Sequence, residues 1–255
     1  MKIVFHQDYV DYAGYASDPA ADRGRIKPII KEIREKTDYE IITPEPATEE
    51  DILRAHSERH LKRIKHNNNL YYIASLAAGG AIKTAEIAYD NKEAAFGVIR
   101  PPGHHASADS CWGFCFFNNM SISMLKLIAD KKIETAFILD FDLHTGDGNI
   151  NIIGQNPNIK ILNPRSPERV GYLEEIDETF KSLKNIDIIA ASAGFDEYVL
   201  DWGGTLTTED YNTIGKMMKE YSLELCEGRR YAILEGGYYF EHLGINVVSF
   251  CKGFE

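Results

Sequence analysis

Five short stretches of this 255-residue chain gather groups that bind cations or move protons: PPGHHA at 101–106, GFCFFNN at 113–119, DFDLHTGDG at 140–148, SAGFD at 192–196 and EGGYY at 235–239. Asp142-x-His144 alternates as a strand end does, so both side chains face one side and can grip one ion. Asp196, at the end of another apolar run, offers a third ligand. Two carboxylates and one imidazole neutralise a divalent cation and leave a position open for water or substrate, as catalytic Zn2+ sites do. Oxygen-rich ligation also admits Fe2+ or Mn2+. The bland alternative is a polar loop whose acids cap a helix. A calcium loop fails, because its twelfth position needs a bidentate Glu and Asn151 stands there.

His104-His105 follows Pro101-Pro102-Gly103, a tight turn from which both imidazoles can approach one water. Histidine suits proton transfer near neutral pH, and each ring needs a partner to fix its tautomer. Asp140 and Asp147, flanking the Asp142/His144 pair, can be those partners. In Glu235-Gly236-Gly237-Tyr238 the glycines permit close backbone approach, and Tyr238 can donate its hydroxyl to a developing oxyanion.

The elements that must position these groups alternate along the chain. Apolar, β-branched runs predict strands at 2–5, 39–43, 95–99, 135–139, 159–162, 186–192 and 231–234. Amphipathic patterns predict helices at 26–35, 49–65, 70–89, 119–130, 172–183 and 209–224, two of them opening on Thr48 and Thr207 followed by acids. The alternation reads as an α/β fold with a central, mostly parallel sheet flanked by helices, and the absence of any linker makes 1–255 one domain. Four of the strands run straight into the polar loops. In such sheets ligands bind beyond the carboxyl ends of the strands, so His104, His105, Asp140, Asp142, His144, Asp147, Asp196 and Tyr238 should meet at one edge.

In their order, PPGHHA, GFCFFNN, DFDLHTGDG, SAGFD and EGGYY make the chain similar to the histone deacetylase family of metal-dependent amidohydrolases and its acetylpolyamine-deacetylating relatives. The likeness covers residue 95 to the C-terminus; the first ninety or so residues agree only loosely. It implies an arginase/deacetylase-like α/β domain that removes an acetyl or other short acyl group from an amine. It further implies Asp142, His144 and Asp196 as ligands of Zn2+. His104 and His105 become the acid/base pair, bonded to Asp140 and Asp147, with Tyr238 polarising the acyl carbonyl. Gly113, Phe114 and Gly237 would line the substrate slot. A structural K+ would sit at Asp140, with backbone carbonyls at Asp142 and His144.

Three departures from the family pattern carry expectations of their own. Thr145 follows His144 where many members have a second histidine, which leaves the ligand set intact. The stretch 143–195 is short: NPRSPERVGYLEE replaces a glycine-rich loop and a second aromatic wall, and Asn163 stands where a Ser commonly helps hold potassium. This predicts a shallower, more open site, or one completed by another subunit in a homo-oligomer. SDPAADRGR matches the entry motif loosely, offering Arg23 or Arg25. Elsewhere, His56 and His60 read as a solvated helix face, Cys111 and Cys115 as two ordinary thiols, and Trp112 as an aromatic on the slot rim.

The composition narrows the function classes. With 28 Lys+Arg against 39 Asp+Glu the net charge is −11, and no basic patch suggests nucleic acid. No apolar run is long enough to span a membrane, and MKIVF is too short for a signal peptide. Four cysteines are too few for a disulfide scaffold and suggest a reducing, cytoplasmic setting. Two other readings compete with the deacylase. A ureohydrolase, suggested by DLHT, needs two metals and an Asp at position 194, which is Gly. A ligand-binding relative without turnover would have lost a ligand, a His or the Tyr. The substrate stays open between an acetylpolyamine, acetyl-lysine and another acylated amine.

Overall fold

All the expected strands form: β1 (Lys2–Val4), β2 (Glu40–Ile42), β3 (Ala94–Gly97), β4 (Ala136–Asp140), β5 (Ile159–Leu162), β6 (Ile188–Ala193) and β7 (Arg230–Leu234). The computed structural model describes residues 1–12 and 19–255. Every pairing is parallel, in the order β2-β1-β3-β7-β6-β4-β5. Strands β3, β4, β6 and β7 are buried along their whole length, which is why their sequences are continuous apolar runs rather than alternating ones.

The helices are α1 (Asp8–Asp11), α2 (Ile26–Lys36), α3 (Glu49–Leu53), α4 (Glu58–Lys65), α5 (Asn68–Asn91), α6 (Asn119–Ala129), α7 (Asp147–Ile153), α8 (Arg169–Ser182), α9 (Thr208–Cys226) and α10 (Phe240–Phe254). They fall into two groups that pack among themselves. Helices α3 to α6 form one, with α5 lying on β1, β3 and β7; α2, α8, α9 and α10 form the other, with α9 on β6 and β7. The main apolar core joins both groups to the sheet, and a smaller one fills the space under α3 and α4.

Two expectations on helices need correction. The single helix over 49–65 is broken, because Thr48 caps α3 through a capping box and Ser57 caps a new helix through His60 N. Helix α10 was not foreseen. Its two glycines and β-branched residues obscure a face on which Leu243, Val247, Phe250, Cys251 and Phe254 are all buried.

The strand order has the consequence for function. β3, β7, β6 and β4 are consecutive neighbours, so the loops after them lie side by side along the carboxyl edge. Register keeps the ends level: Asp140 pairs with Ser192, and Ser192 with Ile233. No helix among the described residues is long and apolar enough to cross a membrane.

Candidate active site

Beyond β4 the chain alternates once more, so Asp140 and Asp142 lie on one side and the buried Phe141 ring packs against Phe195, Tyr211 and Phe250 on the other. Asp142, His144 and Asp196 then converge, with one ligand atom from each inside 4.8 Å of the others. His144 Nδ1 stands between them, 3.2 Å from Asp142 Oδ1 and 3.3 Å from Asp196 Oδ2. Asp196 Oδ2 is buried and has no hydrogen-bond partner among the described residues in spite of that proximity. Its other oxygen accepts from Leu143 N at 3.0 Å. Asp142 Oδ2 accepts from Gly236 N at 2.8 Å.

Such a set fits a divalent cation. Buried carboxylates without enough donors are costly until a positive charge joins them. The electrostatics agree: the facing carboxylates, Asp142 first and then Asp196, push the His144 imidazole up to about 10. Gly236 is required by the same crowding, because a Cβ there would lie 2.5–2.6 Å from the two carboxylates. A side chain at Gly194 would stand on Asp142, so the second-metal Asp of a ureohydrolase has no room.

The histidine pair flanks this cluster. His104 Nδ1 lies 3.3 Å from Asp140 Oδ2, and its Nε2 is 3.7 Å from Asp142 Oδ1. His105 Nδ1 is 2.6 Å from Asp147 Oδ1, and the rings of the pair are 4.0 Å apart. A carboxylate only accepts, so each Asp places the proton on Nδ1 and leaves Nε2 as the reactive nitrogen. The two rings are poised differently. Burial, then the charge of His104, pushes His105 down to about 4 against the pull of Asp147. Burial also opposes protonation of His104, but the Asp142 and Asp140 carboxylates outweigh it and hold that ring well above its ordinary value. The carboxylates thus favour the charged form of His104, while burial favours the neutral form of His105.

Asp147 has a second partner that sequence reasoning missed: Trp112 Nε1 donates to its Oδ2 at 3.0 Å. The indole also stacks on His105 at 3.7 Å and is 54% exposed, as a rim residue should be. Because Asp147 raises the proton affinity of His105, Asp147→Asn should move the His105 titration below about 4 and shift the Trp112 indole N–H resonance. Histidine-selective NMR titration reads this; an unchanged or higher pKa would refute the coupling.

A cavity of about 120 Å³ opens between these groups, lined among others by His104, His105, Gly113, Phe114, His144 and Tyr238. Gly113 has φ of +59°, and a Cβ there would meet the His105 ring at 2.8 Å. Gly237, expected to line the slot, is instead turned away: its carbonyl accepts from Arg25 Nε at 2.8 Å, and Gly236 takes its place on the wall. Of the two arginines singled out in SDPAADRGR, Arg25 is the one brought here. Its guanidinium also donates to the Glu235 carbonyl and lies 5.3 Å over the Tyr238 ring. Arg23 borders a separate surface cavity, and Ser17 and Asp18 lie outside the described residues.

The opposite wall is the main difference from expectation. The short 143–195 segment supplies no second aromatic, but Trp202 does, stacking on Tyr238 at 4.1 Å and meeting His144 edge-on at 6.1 Å. Asp201 Oδ2 pins this corner by accepting from Tyr238 N and Tyr239 N at 2.6 and 2.7 Å. Only the adjacency of Trp202 to SAGFD hinted at this. His56 and His60 also differ from the solvated face expected of them. Both are buried, with His56 Nε2 accepting from Asn118 N at 2.8 Å and His60 Nε2 2.7 Å from the Phe116 carbonyl. They hold the loop that carries Gly113 and Phe114.

Comparison with known proteins gives a consistent family. Residues 20–163 match the family model described as the histone deacetylase domain. A protein of Archaeoglobus fulgidus named "Probable deacetylase" is 28% identical, over 99% of this chain and 86% of its own length. Acetylpolyamine amidohydrolase of Mycoplana ramosa is also 28% identical, over 71% of this chain and 62% of the relative. Against histone deacetylase 14 of Arabidopsis thaliana the identity is 30%, but this chain spans only 45% of that protein. The solved HDA15 HD domain superposes with a TM-score of 0.85 at 20% identity, covering 100% of this chain and 90% of that one, a likeness of fold.

Proposed function

We propose that this chain, which belongs to the histone deacetylase family, is a metal-dependent amidohydrolase that removes an acetyl or short acyl group from an amine. The observation that carries the reading is the convergence of Asp142, His144 and Asp196 at the cavity bordered by His104, His105 and Tyr238. Asp142, His144 and Asp196 would hold the cation, with Zn2+ the first choice and Fe2+ or Mn2+ compatible with the oxygen-rich set. When bound, it would acidify a water and polarise the amide carbonyl.

The remaining steps belong to the side chains. His105, neutral and fixed by Asp147, takes the proton of the attacking water through Nε2. His104, held as the imidazolium by its carboxylate neighbours, gives a proton to the leaving amine. Tyr238 donates to the developing oxyanion; burial, then the Asp142 charge, keeps its phenol well above the usual range and therefore protonated. Trp112, Phe114 and Trp202 exclude water around the acyl-bearing chain. Asp140 and the carbonyls of Asp142 and His144 would serve a K+, with Asn163 alongside, where its Nδ2 now donates to the Asp140 carbonyl at 3.2 Å.

The cavity supports a small acyl amide at its base, with the rest of the amine projecting outward past Trp112 and Trp202, which line it. Acetylputrescine, acetylspermidine and an acetyl-lysine peptide all meet that requirement. The test compares acetate release from the three, before and after chelation and after return of one equivalent of Zn2+. Turnover of at least one, lost and regained with the metal, is the expected result. A chain that binds one equivalent and releases no carboxylic acid from any of the three, nor from their propionyl and butyryl analogues, would overturn the proposal.

A further inference from the structure

Cys115 and Glu235 have no part in the chemistry above, yet both lie against His104. One ligand atom from each of His104, Cys115 and Glu235 lies within 4.8 Å of the other two, and all three side chains are buried. Glu235 spends one oxygen on the loop before the histidines, Oε2 accepting from Gly103 N at 2.7 Å and His104 N at 3.2 Å. Its other oxygen, Oε1, is buried and has no hydrogen-bond partner among the described residues. A fully buried carboxylate oxygen left unbonded beside a thiol and an imidazole calls for an explanation, and a cation supplies one.

We propose that His104, Cys115 and Glu235 form a second buried site for a thiophilic divalent cation, distinct in donor chemistry from the Asp142/His144/Asp196 cluster. With Nδ1 turned to Asp140, His104 offers Nε2, and the Asp140 carboxylate behind it is the orienting partner usual for a metal-bound imidazole. One thiolate and one carboxylate carry the two negative charges that balance the ion. Ligands on a tetrahedral Zn2+ stand about 3.3–3.8 Å apart, so closing the cluster needs side-chain shifts on the order of 1 Å. His104 and Cys115 both line the cavity, which gives the ion its entry path.

The sulfur separates the two sites. A thiolate favours Zn2+ or Cd2+ over Mn2+ and Mg2+, whereas the first cluster has only oxygen and nitrogen donors. Burial, then the charge of Glu235, lifts the Cys115 thiol well above its ordinary value, and burial pushes Glu235 up to about 7. A second ion would also occupy the nitrogen of His104 that faces the cavity, so an excess of thiophilic cation should slow turnover.

Cd2+ titration of the metal-depleted full chain tests the site without reference to activity. Wild type should bind two equivalents by equilibrium dialysis and show the ultraviolet thiolate-to-cadmium charge-transfer band; Mn2+ should stop at one. Cys115→Ser should lose the band and one equivalent, Cys111→Ser should keep both, and His144→Ala should lose one equivalent yet keep the band. Wild type that binds a single Cd2+ with no band refutes the site irrespective of how the variants fold. So does a band that survives in Cys115→Ser.

Discussion

Without metal, an Asp196→Asn variant is expected to resist unfolding better than the parent above about pH 7, and with metal it should be inactive. Burial, then the facing Asp142 carboxylate, push the Asp196 carboxyl up to about 7. The unfolded chain holds that proton only to about pH 4. Below about pH 4 the carboxyl is protonated in both states and costs nothing; as pH climbs from there to about 7 only the unfolded chain ionises, so the folded state loses stability, and the loss is complete above about 7. Asn carries no such charge, so its gain is on the order of 1–3 kcal/mol, a shift of a few degrees in Tm. Metal reverses the ranking. The parent gains about 2.7 kcal/mol at a hundredfold excess over Kd, a gain the variant forfeits with its ligand. Turnover should fall by roughly 10³-fold or more. Thermal melts with and without Zn2+, beside a metal analysis, read all of this. A variant that keeps its ion and its rate would remove Asp196 from the ligand set.

Tyr238→Phe should lower kcat by about 10²–10³, or roughly 2.7–4 kcal/mol, and leave KM and metal content nearly unchanged. The hydroxyl is asked to act only once charge develops on the acyl oxygen, so ground-state binding has little to lose. The phenyl ring can keep the stack on Trp202 at 4.1 Å, and the backbone contacts to Asp201 do not involve the hydroxyl. A kcat within a factor of a few of the parent would assign oxyanion stabilisation elsewhere.

The chain's chemistry was legible because its motifs are local. Asp142-x-His144 and His104-His105 put paired ligands and paired bases within a few residues of each other, and buried parallel strands announce themselves as unbroken apolar runs. What local pattern cannot encode is adjacency. That β7 lies between β3 and β6 follows from packing α5 and α9 against the sheet, and it is this order that puts Glu235 under His104 and Gly236 against Asp142.

His56 and His60 make the same point from the other direction. On a helical wheel they are two polar residues on one face, and only the fold brings the backbone of residues 107 to 118 against them, where each donates to a carbonyl, of Ser107 and Phe116, and His56 also accepts from Asn118 N. Trp202 likewise has no motif of its own; it becomes a wall because Asp201 ties its loop to Tyr238. The sequence by itself determined the strands, the α/β class and the donor types at each strand end. Tertiary structure alone decided which ends are neighbours, which carboxylate oxygens are left without a donor and which aromatics close the cavity, because those depend on contacts between segments far apart in the chain.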